Sequence, residues 1–232
     1  MNWKHAVVVG ASGGIGAAIS EHLREAGTQV YELARSHSDP ASRIDITCES
    51  SIAEAAERIG AYGPVDLIFI ATGMLHEGDL GPEKSMRDLS MDWLARNFAI
   101  NAAGPALVAK HFLPLLPRDG RCAFAALSAR VGSIGDNRLG GWYGYRASKA
   151  ALNMLVKSLA IEMARKNREA VCVSLHPGTV DTPLSAPFQR NVAPEKLFDA
   201  RFSAGKLLNV LAGLSPEESG GHFAWDGQRI EP

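Results

Sequence analysis

Tyr145 and Lys149 stand four residues apart in Tyr145-Arg146-Ala147-Ser148-Lys149, at the start of a stretch, 143–166, whose length and apolar spacing predict a helix. Residues at this spacing share a helix face. The chemistry this permits is proton transfer. A free tyrosine has a pKa of about 10, too high to carry protons near neutrality, and an ammonium held beside it favours the phenolate. A drop of about 3 units corresponds to roughly 4 kcal/mol of differential stabilisation. A Tyr and a Lys so spaced also occur by chance on solvated helix faces, so the pair needs corroboration from elsewhere in the chain.

The run Val7-Val8-Val9-Gly10-Ala11-Ser12-Gly13-Gly14-Ile15-Gly16 supplies some. It reads as a strand, a glycine turn and the start of a helix. Gly10, Gly14 and Gly16 let the backbone turn sharply and approach an anion closely. The helix beginning near Ile15 offers free N–H groups and a positive dipole end to that anion. Gly10, Ser12, Gly13, Gly14, Ile15 and Gly16 are therefore candidate phosphate ligands of a dinucleotide, against the alternative of a glycine-rich turn that binds nothing. The second apolar run ends at Ala34, followed by Arg35. An acidic residue at that point accepts hydrogen bonds from ribose hydroxyls, whereas Arg binds a 2′-phosphate, so Arg35 favours NADP(H) over NAD(H). Arg35 as a mere solvated loop charge is the alternative. Glu32 lies inside the strand and is discounted as a ribose ligand. Asp45 and Ile46 end another short run and are expected to flank the adenine.

The elements that must carry these residues follow from the apolar pattern. Short runs at His5–Gly10, Gln29–Ala34, Asp66–Ala71, Arg121–Leu127 and Val171–His176 predict strands buried on both faces. Helix-compatible stretches lie at Ile15–Ala26, Ile52–Ile59, Asp92–Leu116 and Tyr143–Lys166, with Pro114 and Pro117 expected to end or distort the third. This alternation predicts an α/β, doubly wound, Rossmann-type parallel sheet in a single domain over residues 1–232. Pro183, Pro187 and Pro194 interrupt the rhythm and predict a loop at about 183–203, either a lid over the site or a surface excursion.

Composition excludes other classes. A net charge of -1 offers no broad basic field for nucleic acid or an acidic membrane. No early apolar run is long enough for a signal peptide or a span. Cys48, Cys122 and Cys172 show neither metal-ligand spacing nor a disulfide framework, which fits a cytoplasmic location. None of the seven histidines pairs in a recognisable ligand spacing, so no metal is expected.

The glycine turn, the Tyr145/Lys149 pair and His176-Pro177-Gly178-Thr179-Val180-Asp181-Thr182 occur in an order that closely resembles the short-chain dehydrogenase/reductase family over nearly the whole chain. The stretch from Asp136-Asn137-Arg138 through Gly140-Gly141-Trp142-Tyr143-Gly144 to Lys149 is similar to its C-factor and sniffer-type carbonyl reductase branch. The resemblance implies that Tyr145 exchanges a proton with a carbonyl or alcohol oxygen, and that Lys149 depresses its pKa and holds the nicotinamide ribose. It implies that Asn101 kinks a helix and anchors a relay water. It places Ala71, Thr72 and Gly73 beside the cofactor, and Pro177, Gly178, Val180 and Thr182 around the nicotinamide. It also implies a homodimer or homotetramer, with the helices from Asp92 and Tyr143 at an interface.

Departures count too. Val9 replaces the usual threonine, and Ala71-Thr72-Gly73 stands where the family commonly has Asn-Ala-Gly. Ala129 occupies the place of the usual catalytic serine; Ser128 and Ser133 are the nearby hydroxyls, and Ser128 is carried as the candidate although strand alternation turns it away from whatever Ala129 faces. Trp142 and Tyr143 either wall the substrate pocket or pack the helix entry. Two functions remain: a carbonyl/alcohol oxidoreductase using NADP(H), or a C-factor-type nucleotide-binding signalling or interaction protein with little turnover.

Overall fold

Strands rich in apolar residues on both faces can be buried only as the middle layer of a three-layer structure. In the computed structural model, which describes residues 3–232, these strands are β1 (His5–Val9), β2 (Gln29–Leu33), β3 (Leu67–Ile70), β4 (Cys122–Leu127) and β5 (Ala170–His176). The chain continues through β6 (Thr179–Val180), β7 (Leu197–Phe198) and β8 (His222–Ala224). One six-stranded sheet has the order β2-β1-β3-β4-β5-β8, with every pair parallel. Residues 1 and 2 of the expected 1–232 domain lie outside the described residues.

Alternate strand residues feed two cores. Val7, Val9, Ile68, Ile70, Phe124 and Ala126 pack against α2 (Glu49–Gly60), α4 (Gly104–Phe112) and α5 (Tyr143–Ala164). Val8, Leu67, Phe69, Ala125 and Val173 pack on the other face against α1 (Gly14–Glu25) and α6 (Ala200–Gly213). Buried Cys122 and Cys172 belong to the first core. The sheet is doubly wound, and its strand order reverses between β1 and β3, which opens a crevice beyond their C-terminal ends.

Two expectations need correction. The helix predicted over Asp92–Leu116 is instead α3 (Met91–Phe98), a π-helical turn at Ala99–Ala103, α4, and a 3-10 turn Leu113–Leu115 that contains Pro114. The loop predicted at about 183–203 ends at Asp199, because the Asp199 carboxylate accepts the Phe202 N–H at 2.7 Å and caps α6. The run ending at Asp45 and Ile46 forms no strand and touches β2 only through an isolated Ala34–Arg43 bridge.

Candidate active site

The crevice between β1 and β3 holds a cleft of about 420 Å³. Gly10, Ser12, Gly13, Arg35, Asp45, Ile46, Ala71, Thr72 and Gly73, all expected at a cofactor, line it. Two glycines are dictated by geometry. Gly10 has φ +90, and a Cβ there would lie 3.0 Å from the backbone of Ala71 and Thr72. A Cβ on Gly16 would lie 2.2 Å from the Gly10 carbonyl oxygen. Gly13 caps α1 without a side-chain bond, and no acidic residue occupies the first turn, so the amides of Gly14, Ile15 and Gly16 face the turn without a competing anion. The Thr72 hydroxyl is buried at the same wall with no hydrogen-bond partner. A glycine cradle at a helix N-terminus with an unpartnered hydroxyl beside it fits a dinucleotide pyrophosphate.

The rim carries the charge. Arg35 is exposed there, while Glu32 pairs with Arg24 and is withdrawn from the cleft. Asp45 is held below the usual carboxylate range, first by the Thr47 hydroxyl at 2.7 Å and its N–H at 2.9 Å, with Arg35 and Arg96 adding positive potential. The opposite wall is the segment after β5. A Cβ on Gly14 would lie 2.9 Å from Thr182 Cγ2, so the glycine turn and the Pro177–Thr182 segment are in contact. Ser203 donates to the Pro177 carbonyl at 2.8 Å, Gly178 turns at φ +78 over Phe198, and Val180 is buried.

Tyr145 and Lys149 meet at the inner end. The Lys149 Nζ lies 5.9 Å from the Tyr145 ring centroid and donates to the Leu127 carbonyl at 2.8 Å. A Cβ on Gly73 would lie 3.6 Å from Lys149 Nζ and 3.7 Å from Asn101 Oδ1, which places these two side chains beside Gly73 of the cleft wall. Asn101 sits in the π-helical turn; it accepts from Met74 N–H at 2.8 Å and donates to Met74 O at 2.9 Å and Ser148 Oγ at 3.1 Å. It thus ties the end of β3 to α5. Burial opposes the acidified phenol expected from spacing. Tyr145 is 7% exposed and Lys149 2% exposed, and burial pushes the phenol up to about 12 and the ammonium down to about 7.

Ser128 is buried, its N–H donates to the Leu175 carbonyl at 2.8 Å, and its hydroxyl has no partner. At the two-residue strand period it follows Ala126, which faces α5. Ser133 is also buried, and its hydroxyl accepts the Asp136 N–H at 3.0 Å. Among the described residues no group of three or more His, Cys, Asp or Glu is arranged to hold a metal ion, and no helix is long and apolar enough to cross a membrane.

Sequence reasoning missed several participants. Glu83 is buried, and its carboxylate accepts the Gly144 N–H at 3.1 and 3.2 Å, capping α5 one residue before Tyr145. Nothing in Gly81-Pro82-Glu83 signals that role. Met74, Thr47, His76, Glu77 and Leu184 also line the cleft. Behind Lys149, Asn153 Nδ2 lies 3.3 Å from His222 Nδ1, and burial lowers His176 to about 4 and His222 to about 3.

Known proteins resemble this chain in sequence and fold. Residues 4–193 match the family described as short chain dehydrogenase. The chain is 36% identical over 168 residues to C-signal of Myxococcus xanthus, covering 72% of this chain and 93% of that protein. It is 30% identical over 237 residues to 1-hydroxy-2-glutathionyl-2-methyl-3-butene dehydrogenase of Rhodococcus sp. (strain AD45), covering 97% and 98%. The fold is that of the NADPH-bound carbonyl reductase from chicken fatty liver, at a TM-score of 0.84 and 23% identity with each chain fully covered.

Proposed function

The chain belongs to the short-chain dehydrogenase family, and from that premise we propose that it interconverts a carbonyl compound and a secondary alcohol, with NADP(H) favoured over NAD(H). The observation that carries this reading is the convergence of Lys149 and Asn101 beside Gly73 of the cleft wall, with the Tyr145 ring next to the Lys149 ammonium. The nicotinamide ring, when bound, supplies or accepts the hydride. Ser12, Gly13 and the first amides of α1 would hold the pyrophosphate, and Arg35 the 2′-phosphate. Pro177, Gly178, Val180 and Thr182 would flank the nicotinamide. Tyr145, kept in its protonated form by burial, gives its proton to the carbonyl oxygen in reduction and takes it back in oxidation. Lys149, poised near neutrality, restores that proton, and Asn101 keeps the end of β3 and Ser148 in register with it. Ser128 is the hydroxyl we assign to the substrate oxygen in the absence of one on Ala129; its unpartnered Oγ supports this.

The test is NADPH oxidation by the purified protein with a panel of aldehydes and ketones. We expect carbonyl-dependent turnover; a protein that binds NADPH yet turns over none of the panel contradicts the reading. That outcome belongs to the second one, a nucleotide-binding signalling or interaction protein. It draws support from the missing hydroxyl at Ala129 and from likeness to C-signal. For the cofactor, Arg35→Ala should lower the NADPH/NADH ratio of kcat/KM by about 10- to 100-fold, the worth of one or two charge-assisted hydrogen bonds. An unchanged ratio removes Arg35 from the phosphate site. Met154 and Ile161 on α5 and Phe98 on α3 are exposed apolar side chains, and we assign them to self-association as a dimer or tetramer. Sedimentation as a monomer contradicts that assignment. We place the working protein in the cytoplasm, where its three free thiols stay reduced; recovery in the cytosolic fraction checks this.

A further inference from the structure

A second cavity, of about 570 Å³, opens beside the cofactor cleft. His76 lines both, so the two spaces meet around its ring. The apolar wall of the second is supplied by Leu80, Trp93, Trp142, Pro187 and Phe188, while Asp79, Lys84 and Asp88 give it charges of mixed sign. The Trp142 ring centroid is 6.3 Å from that of Tyr145, with the planes at 72°. On its other side Phe188 stands 5.3 Å away at 62°, and Phe188 in turn is 6.0 Å from the His76 ring. An aromatic series therefore runs from the phenol to the rim shared by the two cavities.

Trp142 adopts φ 54 and ψ 41, the left-handed region, alone among the non-glycine residues described. That conformation is costly for a bulky residue and needs support from its surroundings. Buried Glu83 gives it: its carbonyl accepts the Trp142 N–H and its carboxylate accepts the Gly144 N–H. Glycine would satisfy this backbone without strain, so the turn does not explain the indole. Phe188 reaches Trp142 from the helical turn Ala186–Asn191. That turn is tethered by His76 Nε2 to Pro183 O at 3.2 Å and by Gln189 Nε2 to Asp181 Oδ1 at 3.0 Å.

We propose that Trp142 and Phe188 form an aromatic slot beside Tyr145 that seats the body of the substrate and selects carbonyls carried on a flat aromatic ring over saturated carbonyls of equal size. This rests on the reading of Tyr145 as proton donor to a carbonyl. Two rings meeting edge to face part to admit a third flat ring and exchange one aromatic contact for two. A cyclohexyl ring is thicker and lacks the π quadrupole that makes those contacts directional. The mixed charges at the cavity select no ionic group.

The experiment compares acetophenone with cyclohexyl methyl ketone. One arm measures kcat/KM with NADPH; the other measures Kd by calorimetry on NADPH-loaded Tyr145→Phe, which needs no turnover. Acetophenone should be favoured about tenfold in both arms. Phe188→Leu and Trp142→Gly should each reduce that preference about threefold or more, acting on KM and Kd. Phe188 is on the helical turn Ala186–Asn191 and only half-buried, so its variant serves if Trp142→Gly does not fold. A ratio near one, a ratio untouched by both variants, or failure of acetophenone to bind overturns the slot. Selective binding without turnover leaves the slot standing and removes the proton-donor reading; turnover without selectivity does the reverse.

Discussion

Tyr145→Phe should lower kcat by about 10²- to 10⁴-fold, the range of a positioned general acid, while NADPH binding stays within a few-fold. The ring itself is retained, so its edge contact with Trp142 and its burial are kept and the fold is not expected to suffer. Only the hydroxyl goes. With the phenol at about 12, that hydroxyl is an acid rather than a base across the working range. Ser128 can position an oxygen but cannot replace the donor, because an aliphatic hydroxyl is a far weaker acid. Steady-state rates paired with a fluorescence titration of NADPH make the check. A variant with full kcat would remove Tyr145 from the chemistry, whatever its position.

Lys149→Met carries two large effects of opposite sign. Activity should fall by about 10²-fold or more, because the proton restored to Tyr145 loses its source. Stability should rise. In the fold the ammonium is buried and its pKa is lowered to about 7, against 10.5 in an unfolded chain. Between those values the unfolded chain binds the proton and the folded one does not, so stability grows as pH rises through that window. Below pH 7 the cost of burying the charge is fully present, on the order of 3–5 kcal/mol. Methionine keeps the straight apolar stem and forfeits only the bond to the Leu127 carbonyl, worth roughly 1–3 kcal/mol. A net gain of roughly 2 kcal/mol is expected near pH 6, about 4–8 °C in Tm for a chain of this size. The advantage should shrink towards pH 10. The lowered pKa values of His176 and His222 destabilise the wild type below their unfolded value of 6.5; the His176 effect is common to both proteins, whereas His222 is lowered in part by the Lys149 charge, so its penalty eases in the variant and adds to the gain at low pH. Melting curves of both proteins across pH decide it; a variant no more stable than wild type at pH 6 refutes the account.

The central sheet could be read from the chain because four strands, β1, β3, β4 and β5, are buried on both faces and announce themselves as mostly apolar runs, while β2 lies half-buried at the sheet edge. β8 could not, since His222-Phe223-Ala224 is too short to show a period and follows two glycines. α6 was missed for a related reason: Ala204, Leu207 and Leu211 have helical spacing, but Ser203 and Gly205 share the stretch and blur it. At the site, spacing along one helix placed Tyr145 and Lys149 on a common face, and the glycine pattern found the phosphate cradle. Spacing carries no information on burial, however, and burial decides the pKa of both groups. Glu83 reaches α5 from sixty-one residues away, and Trp142 is defined by a backbone angle. Contacts of that kind exist only once the chain has closed on itself.

β6 pairs in parallel with β7, Thr179 with Leu197 and Val180 with Phe198, and Asp181 N–H donates to the Phe198 carbonyl at 2.8 Å. The excursion carrying Leu184 and Phe188 thus leaves and rejoins the protein at one stapled point. Once the two ends of a loop are fixed together, doubling its length costs only about 0.6 kcal/mol of closure entropy. Insertions, deletions and wholesale exchanges between Ala186 and Lys196, beyond Thr182 and Leu184 that touch the cradle and cleft, are therefore nearly free for the sheet. Such a cassette lets a lineage acquire new substrates by replacing one segment while its reaction machinery stands still.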